Sequence, residues 1–272
     1  MATAVNSGDA RVRGLAVKGF TKIAMRLVLG IKRPRKQVLG TVFSGIVESV
    51  GNKVSKFEIG DAVFGMTGLR FGTYAEYIAV NQNSNVIGIP VNASYEEAAA
   101  IIFGGQAALH FLEKARIAEW VNPKVLIIGA TGSVGSSAVQ IAKYHNANIT
   151  AVCSSCGLNL VKDLGVTDAI LYDRQDFTRR TDTFDIILDA VGKTAKNECR
   201  HLLSRRGVYL NVNKSGYASE KIQQLQLLKE LFEQGTYKAV IDKIYPIEQV
   251  VDAHRYVDTG RKKGNVILKI GE

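Results

Sequence analysis

Residues 125–140, VLIIGATGSVGSSAVQ, decide how the rest of the chain is read. Val125 to Ile128 is an apolar run without alternation, as expected of a central parallel strand covered on both faces. Gly129-Ala130-Thr131-Gly132-Ser133-Val134-Gly135 follows, and then a helical run from Ser136 to Tyr144. Each glycine answers a separate demand. Gly129 permits a sharp strand-to-helix turn, Gly132 lets backbone approach a pyrophosphate, and Gly135 lets helix and strand pack closely. The free N–H groups and positive dipole end of the new helix then receive phosphate oxygens. A glycine pattern lying between a strand and a helix is the context that marks a dinucleotide site.

Outward from this unit, Ile149 to Cys153, Ala169 to Tyr172, Phe184 to Ala190, Val208 to Val212 and Val266 to Ile270 read as further strands. Helical stretches separate most of them, including Ser219 to Gln234 with Ile222, Leu225, Leu228, Leu231 and Phe232 on one face. The alternation predicts an α/β fold with a doubly wound parallel sheet, six strands completing it. Upstream, Ser94 with Glu97 forms a capping box that opens a helix over 94–115, with a bend expected at Gly104-Gly105. The first ninety residues differ. Val42 to Val50, Asp61 to Phe64 and Tyr74 to Val80 are short alternating pieces between glycine turns, the pattern of a small β domain. Arg13 to Lys36 carries Phe20, Ile23, Leu27 and Val28 at helical spacing and is expected to be a basic amphipathic helix.

With 272 residues the chain accommodates one large or two modest cores, and 46% hydrophobic residues mark a globular protein. No apolar run approaches bilayer length, and the first residues lack a signal peptide's pattern, so the expected location is the cytoplasm. Three cysteines do not make a disulfide framework, in keeping with a reducing compartment. The net charge of +10 includes Lys32 to Lys36 and Arg261 to Lys263. Such runs attract an anionic dinucleotide, and nucleic acid is the lesser alternative.

Three further stretches carry a resemblance. They are Leu39-Gly40-Thr41-Val42-Phe43-Ser44-Gly45-Ile46-Val47-Glu48, Phe57-Glu58-Ile59-Gly60-Asp61-Ala62-Val63-Phe64-Gly65 and Gly72-Thr73-Tyr74-Ala75-Glu76-Tyr77. Together with the Rossmann core they resemble the medium-chain dehydrogenase/reductases, most of all the zinc-free quinone oxidoreductases. The resemblance implies a GroES-like mostly β catalytic domain over 1–106, a Rossmann domain over 107–240 and a return to the catalytic domain over 241–272. It implies hydride transfer from NAD(P)H to a quinone or activated enone, and a homodimer formed through the Rossmann sheet edge. Nicotinamide-cofactor contacts are implied at Gly129, Thr131, Gly132, Ser133, Val134, Gly135, Ser154, Tyr172, Val191 and Asn265.

At the positions matching the zinc ligands of related alcohol dehydrogenases stand Asn6, Thr41 and Phe103, none a normal zinc ligand, so no metal is expected. Asn6 is similar to the family's asparagine that faces nicotinamide and substrate, with a turn asparagine as the alternative. Family members usually carry several tens of residues before the Val5-Asn6 motif, so either the sequence starts within the domain or the domain lacks its opening hairpin. The second Rossmann strand ends in Ser154-Ser155-Cys156-Gly157 without a carboxylate, which favours NADPH over NADH. Tyr172 resembles the family tyrosine that contacts the 2′-phosphate. Two other functions stay open: a non-catalytic dinucleotide-binding relative with a structural or RNA-binding role, and an enoyl-thioester reductase.

Overall fold

The computed structural model describes residues 1–14, 36–216 and 218–271. The basic amphipathic helix expected over 13–36 lies almost wholly outside the described residues. Strand β1 (Ala2–Val5) and helix α1 (Ser7–Gly14) come first, then β2 (Val42–Ile46), β3 (Ala62–Met66) and β4 (Asn85–Gly88). Helix α2 (Tyr95–Lys114) leads to β5 (Lys124–Ile128), α3 (Ser133–Tyr144), β6 (Asn148–Cys153), α4 (Leu158–Asp163) and β7 (Asp168–Leu171). Strands β8 (Phe184–Asp189) and β9 (Leu203–Asn211) follow, then α5 (Ile222–Glu233), β10 (Ile241–Pro246), α6 (Val250–Asp258) and β11 (Asn265–Lys269).

Two sheets result. The Rossmann-like sheet has the order β7-β6-β5-β8-β9, parallel throughout. Its order reverses at β5, so the crevice beyond the carboxyl ends of β5 and β8 is the place where such sheets bind ligands. The GroES-like sheet has the order β10-β11-β1-β2-β3-β4. Here the expectation of six Rossmann strands fails. Val266 to Ile270 does form a strand, but it pairs antiparallel with β1, Val5 opposite Val266. Residue pattern identifies a buried strand; which sheet it joins depends on long-range pairing that the pattern does not encode.

Helix α2 is the shared wall of the molecule. Ser94 Oγ accepts from the Glu97 N–H at 3.2 Å and Glu97 Oε2 accepts from the Ser94 N–H at 2.9 Å, the expected capping box. Ile101, Ile102, Phe111 and Leu112 are fully buried along it. Each such side chain contributes about 1.5–3 kcal/mol from its removal from water. Gly104-Gly105 does not interrupt the helix, since α2 runs through both. Both glycines serve packing instead: a Cβ on Gly104 would collide with the Ser133 carbonyl, and one on Gly105 would come within 2.6 Å of Leu228. Tyr74 to Val80 is not a paired strand either. The Tyr74 N–H donates to the Leu39 carbonyl at 3.0 Å, and the residues after it line a cavity of about 570 Å³ with Phe43, Val63 and Val86. Their alternation reflects that apolar lining.

Candidate functional site

The glycine turn is built as its sequence requires. Gly129 has φ +78°, and a Cβ there would strike the Val191 side chain. Gly135, in the first turn of α3, lies against the Gly129 carbonyl with no room for a Cβ. Gly132 is different. It is the N-cap of α3 with φ −77°, open to any residue, and a Cβ there would meet nothing nearer than 3.6 Å. No side chain caps this helix. Its first N–H groups and an open cradle at Gly132 therefore fit a pyrophosphate.

A clamp from the other sheet holds the turn. The Gly264 N–H donates to the Thr131 carbonyl at 2.7 Å. Ser133 Oγ donates to Asn265 Oδ1 at 2.6 Å, and Asn265 Nδ2 donates to the Val240 carbonyl at 3.0 Å. Ser133 and Asn265 are both buried, while Thr131 and Val134 are half-buried at the turn. Lys262 donates to the Gly264 carbonyl at 2.6 Å, and burial pushes its ammonium down to about 8. Gly264 does not stand out in the sequence, because it acts through a contact across the two sheets, whereas Lys262 belongs to the basic run 261–263 and reaches its neighbour Gly264.

Asn6 lies beside this clamp. The β1–β11 register, Val5 opposite Val266, brings the end of β1 to the start of β11 at Asn265. Phe103 borders Gly8 of α1 on one side of α2, and the next residue, Gly104, packs on Ser133 of α3. One turn of α2 thus joins the two halves of the site. Asn6 Nδ2 donates to Thr41 Oγ1 at 2.9 Å, and Asn6 Oδ1 accepts the Asp9 N–H at 3.0 Å. The Asn6 N–H in turn donates to Asp9 Oδ2 at 3.3 Å. Asn6 is therefore the N-cap of α1 in a reciprocal capping arrangement, which leaves one amide N–H to donate elsewhere.

Asp9 is the residue that sequence reasoning missed. It is fully buried, and Tyr74 donates to its Oδ2 at 3.1 Å while Oδ1 has no partner among the described residues. Burial pushes its carboxyl up to about 7 against the lowering effect of its hydrogen bonds with Asn6 and Tyr74. The Asn6-to-Asp9 spacing was the available signal. Tyr74 stacks edge-on to His254 with centroids 5.8 Å apart, so it is both a packed aromatic and a hydrogen-bond donor.

The remaining expected contacts lie at the strand ends. Val191, 39% exposed, sits over Gly129. Buried Asp189 holds it there by accepting the N–H groups of Val191 at 3.0 Å, Gly192 at 2.7 Å and Thr194 at 2.7 Å. Ser154 precedes a short turn after β6, and Tyr172, 58% exposed, follows β7. The end of β6 itself, Ser154 to Gly157, carries no carboxylate, but one reaches it from the neighbouring strand. Asp173, beyond the third strand, places Oδ1 2.9 Å from the Ser155 N–H and accepts from it.

Residues 1–91 match the alcohol dehydrogenase GroES-like domain, and residues 214–268 match the zinc-binding dehydrogenase family. The quinone oxidoreductase of Coxiella burnetii superposes with a TM-score of 0.87 at 25% identity, covering 99% of this chain and 88% of its own. In both matched segments and in its fold the chain resembles the medium-chain dehydrogenase/reductase superfamily. The chain is 33% identical over 251 residues to the 2-methylene-furan-3-one reductase of Solanum lycopersicum. It is 27% identical over 254 residues to the chloroplastic NADPH-dependent alkenal/one oxidoreductase of Arabidopsis thaliana. Each match takes in 86% of this chain and 64% of the relative, so the chain spans about two-thirds of their length. The segment matching the zinc-binding dehydrogenase family contains no cysteine and one histidine, His254. Among the described residues no group of three or more His, Cys, Asp or Glu is placed to hold a metal.

Proposed function

We propose that this protein is a zinc-independent reductase that moves a hydride from a nicotinamide dinucleotide to a quinone or an activated enone. The observation that carries this is the joining of an uncapped α3 N-terminus to the Asn6–Thr41–Phe103 cluster through consecutive residues of α2. The names of the relatives, a furanone reductase, an alkenal/one oxidoreductase and a quinone oxidoreductase, support the same class of acceptor. The division into 1–106, 107–240 and 241–272 accompanies this proposal, the last segment carrying the strand that pairs with β1.

Gly129 to Gly135 would hold the pyrophosphate, Val191 would cover the nicotinamide side, and Ser154 and Tyr172 would line the adenosine ribose. When bound, the nicotinamide supplies the hydride. The acceptor then carries a delocalised oxyanion, which needs hydrogen-bond donors and a proton. The spare amide N–H of Asn6 would donate to that oxygen. Its orientation is fixed by Thr41 and the Asp9 N–H, so no reorganisation is needed during reaction. An amide, a hydroxyl and a phenyl ring do not make a zinc site. Reduction of a simple enone or quinone is thus expected to proceed at an unchanged rate after incubation with EDTA. Loss of activity with recovery on adding zinc would overturn the assignment.

The hydroxyl of Ser154 supports the NADPH preference expected from sequence; Ser155 Oγ is buried, and the Asp173 carboxylate opposes the preference. Cys153, Cys156 and Cys199 are all free, in keeping with a reducing compartment such as the cytoplasm. No described helix is long and apolar enough to cross a membrane. Strand β9 is an open edge of the Rossmann sheet, and we assign the homodimer contact to it. Light scattering is expected to report twice the mass of the chain; a monomer would refute the contact.

A further inference from the structure

The adenosine end of the site departs from what its own strand shows. Strand β7 is paired to β6 up to Leu171 opposite Cys153, and the Tyr172 N–H extends the pairing by donating to the Cys153 carbonyl at 3.0 Å. That pairing delivers the next residue, Asp173, to the turn Ser155–Gly157, where its Oδ1 accepts the Ser155 N–H. The same turn touches the glycine loop, because a Cβ on Gly157 would collide with the Thr131 methyl group. The carboxylate therefore stands at the turn that packs on the glycine loop, directly after Ser154. It is exposed, and its hydrogen bonds with Ser155 hold it below the usual carboxylate range, so it is charged at neutral pH. Cys156 and Gly157 of that turn supply no cation, and Arg174, the next residue in the chain, has the smallest effect of the groups that act on the Asp173 carboxylate.

We propose that Asp173, reaching in from the third strand, sets the nucleotide preference of this chain by accepting from a free ribose 2′-hydroxyl and repelling a 2′-phosphate. The inference rests on the glycine loop being the dinucleotide site. An acidic residue on the second strand does this in NAD-specific folds; here the same charge arrives from a neighbouring strand, with one oxygen bonded to backbone and the other left for ribose. It also occupies the Ser155 N–H, a donor that a 2′-phosphate would otherwise use. A 2′-phosphate carries nearly two negative charges, and one carboxylate beside it weakens binding by roughly tenfold in a solvated groove. The expected outcome is a chain that binds the NADH pair at least as tightly as the NADPH pair, in place of the preference inferred from β6 alone.

Calorimetric titration with NAD⁺ and NADP⁺ tests this without reference to turnover. Asp173→Asn keeps an acceptor for the Ser155 N–H and removes the charge; Asp173→Ser is the second variant. Both are expected to tighten NADP⁺ by about tenfold while NAD⁺ changes by less than about threefold, and the gain should shrink with added salt. Unmodified protein that prefers NADP⁺ more than about tenfold, or variants that leave the ratio unchanged, would overturn the role of Asp173 while leaving the site intact. Failure of the unmodified protein to bind either nucleotide would overturn the site as well.

Discussion

Gly132→Val is expected to lower nicotinamide-nucleotide affinity at least about a hundredfold, or about 2.8 kcal/mol, while the protein melts as the parent does. The two halves of this prediction come from one geometry. Gly132 has an ordinary φ of −77° and free space around its Cα, so a side chain costs the apo fold little. That free space is the approach to the uncapped N-terminus of α3, and two methyl groups there keep phosphate oxygens from the helix N–H groups. Gly129 and Gly135 cannot serve as this control. A Cβ at either would collide with the protein itself, and loss of binding would report misfolding. Full affinity in a folded Gly132→Val protein would refute the site.

Asp9→Asn is expected to stabilise the protein at pH 8 and to do little at pH 5. The unfolded carboxyl titrates near 3.9, whereas burial holds the folded one at about 7. The folded state thus binds the extra proton between those values. Its contribution to stability is complete below the unfolded value and is lost as pH rises through about 7. The ionised, buried form costs on the order of 2–4 kcal/mol, which corresponds to a melting shift of roughly 5 °C or more. Asparagine keeps an oxygen for the Asn6 N–H and removes the charge. His110, His145 and His254 are pushed down by burial and have the opposite dependence, so the difference between variant and parent is the quantity to read. Parallel pH–melting curves for the two proteins would show that Asp9 is not the buried titrating group.

What the sequence made legible was local. The strand–glycine–helix unit at 125–140, the Ser94–Glu97 cap and the apolar face of 222–232 are each encoded within a few residues. What it hid was pairing across distance. Val266 to Ile270 is recognisable as a strand, but its place beside β1 depends on residues more than 260 positions away. Gly104-Gly105 looks like a break and is a packing surface, because the partners Ser133 and Leu228 come from other helices. The charge of Asp173 is not legible in the final residues of β6, because the neighbouring strand in the sheet supplies it. Asn6 caps α1, as a turn asparagine does, and its contact with nicotinamide and substrate belongs to the proposal.

The central claim is hydride transfer to a conjugated acceptor, and isotope transfer tests it most directly. A simple α,β-unsaturated ketone is incubated with reduced nicotinamide nucleotide carrying deuterium at both positions of the transferring carbon, in ordinary water, and the product is read by mass spectrometry. The account predicts a saturated ketone with one deuterium at the β-carbon and a solvent proton at the α-carbon. A product lacking deuterium, or a nucleotide that binds and is never oxidised by enones or quinones, would contradict it.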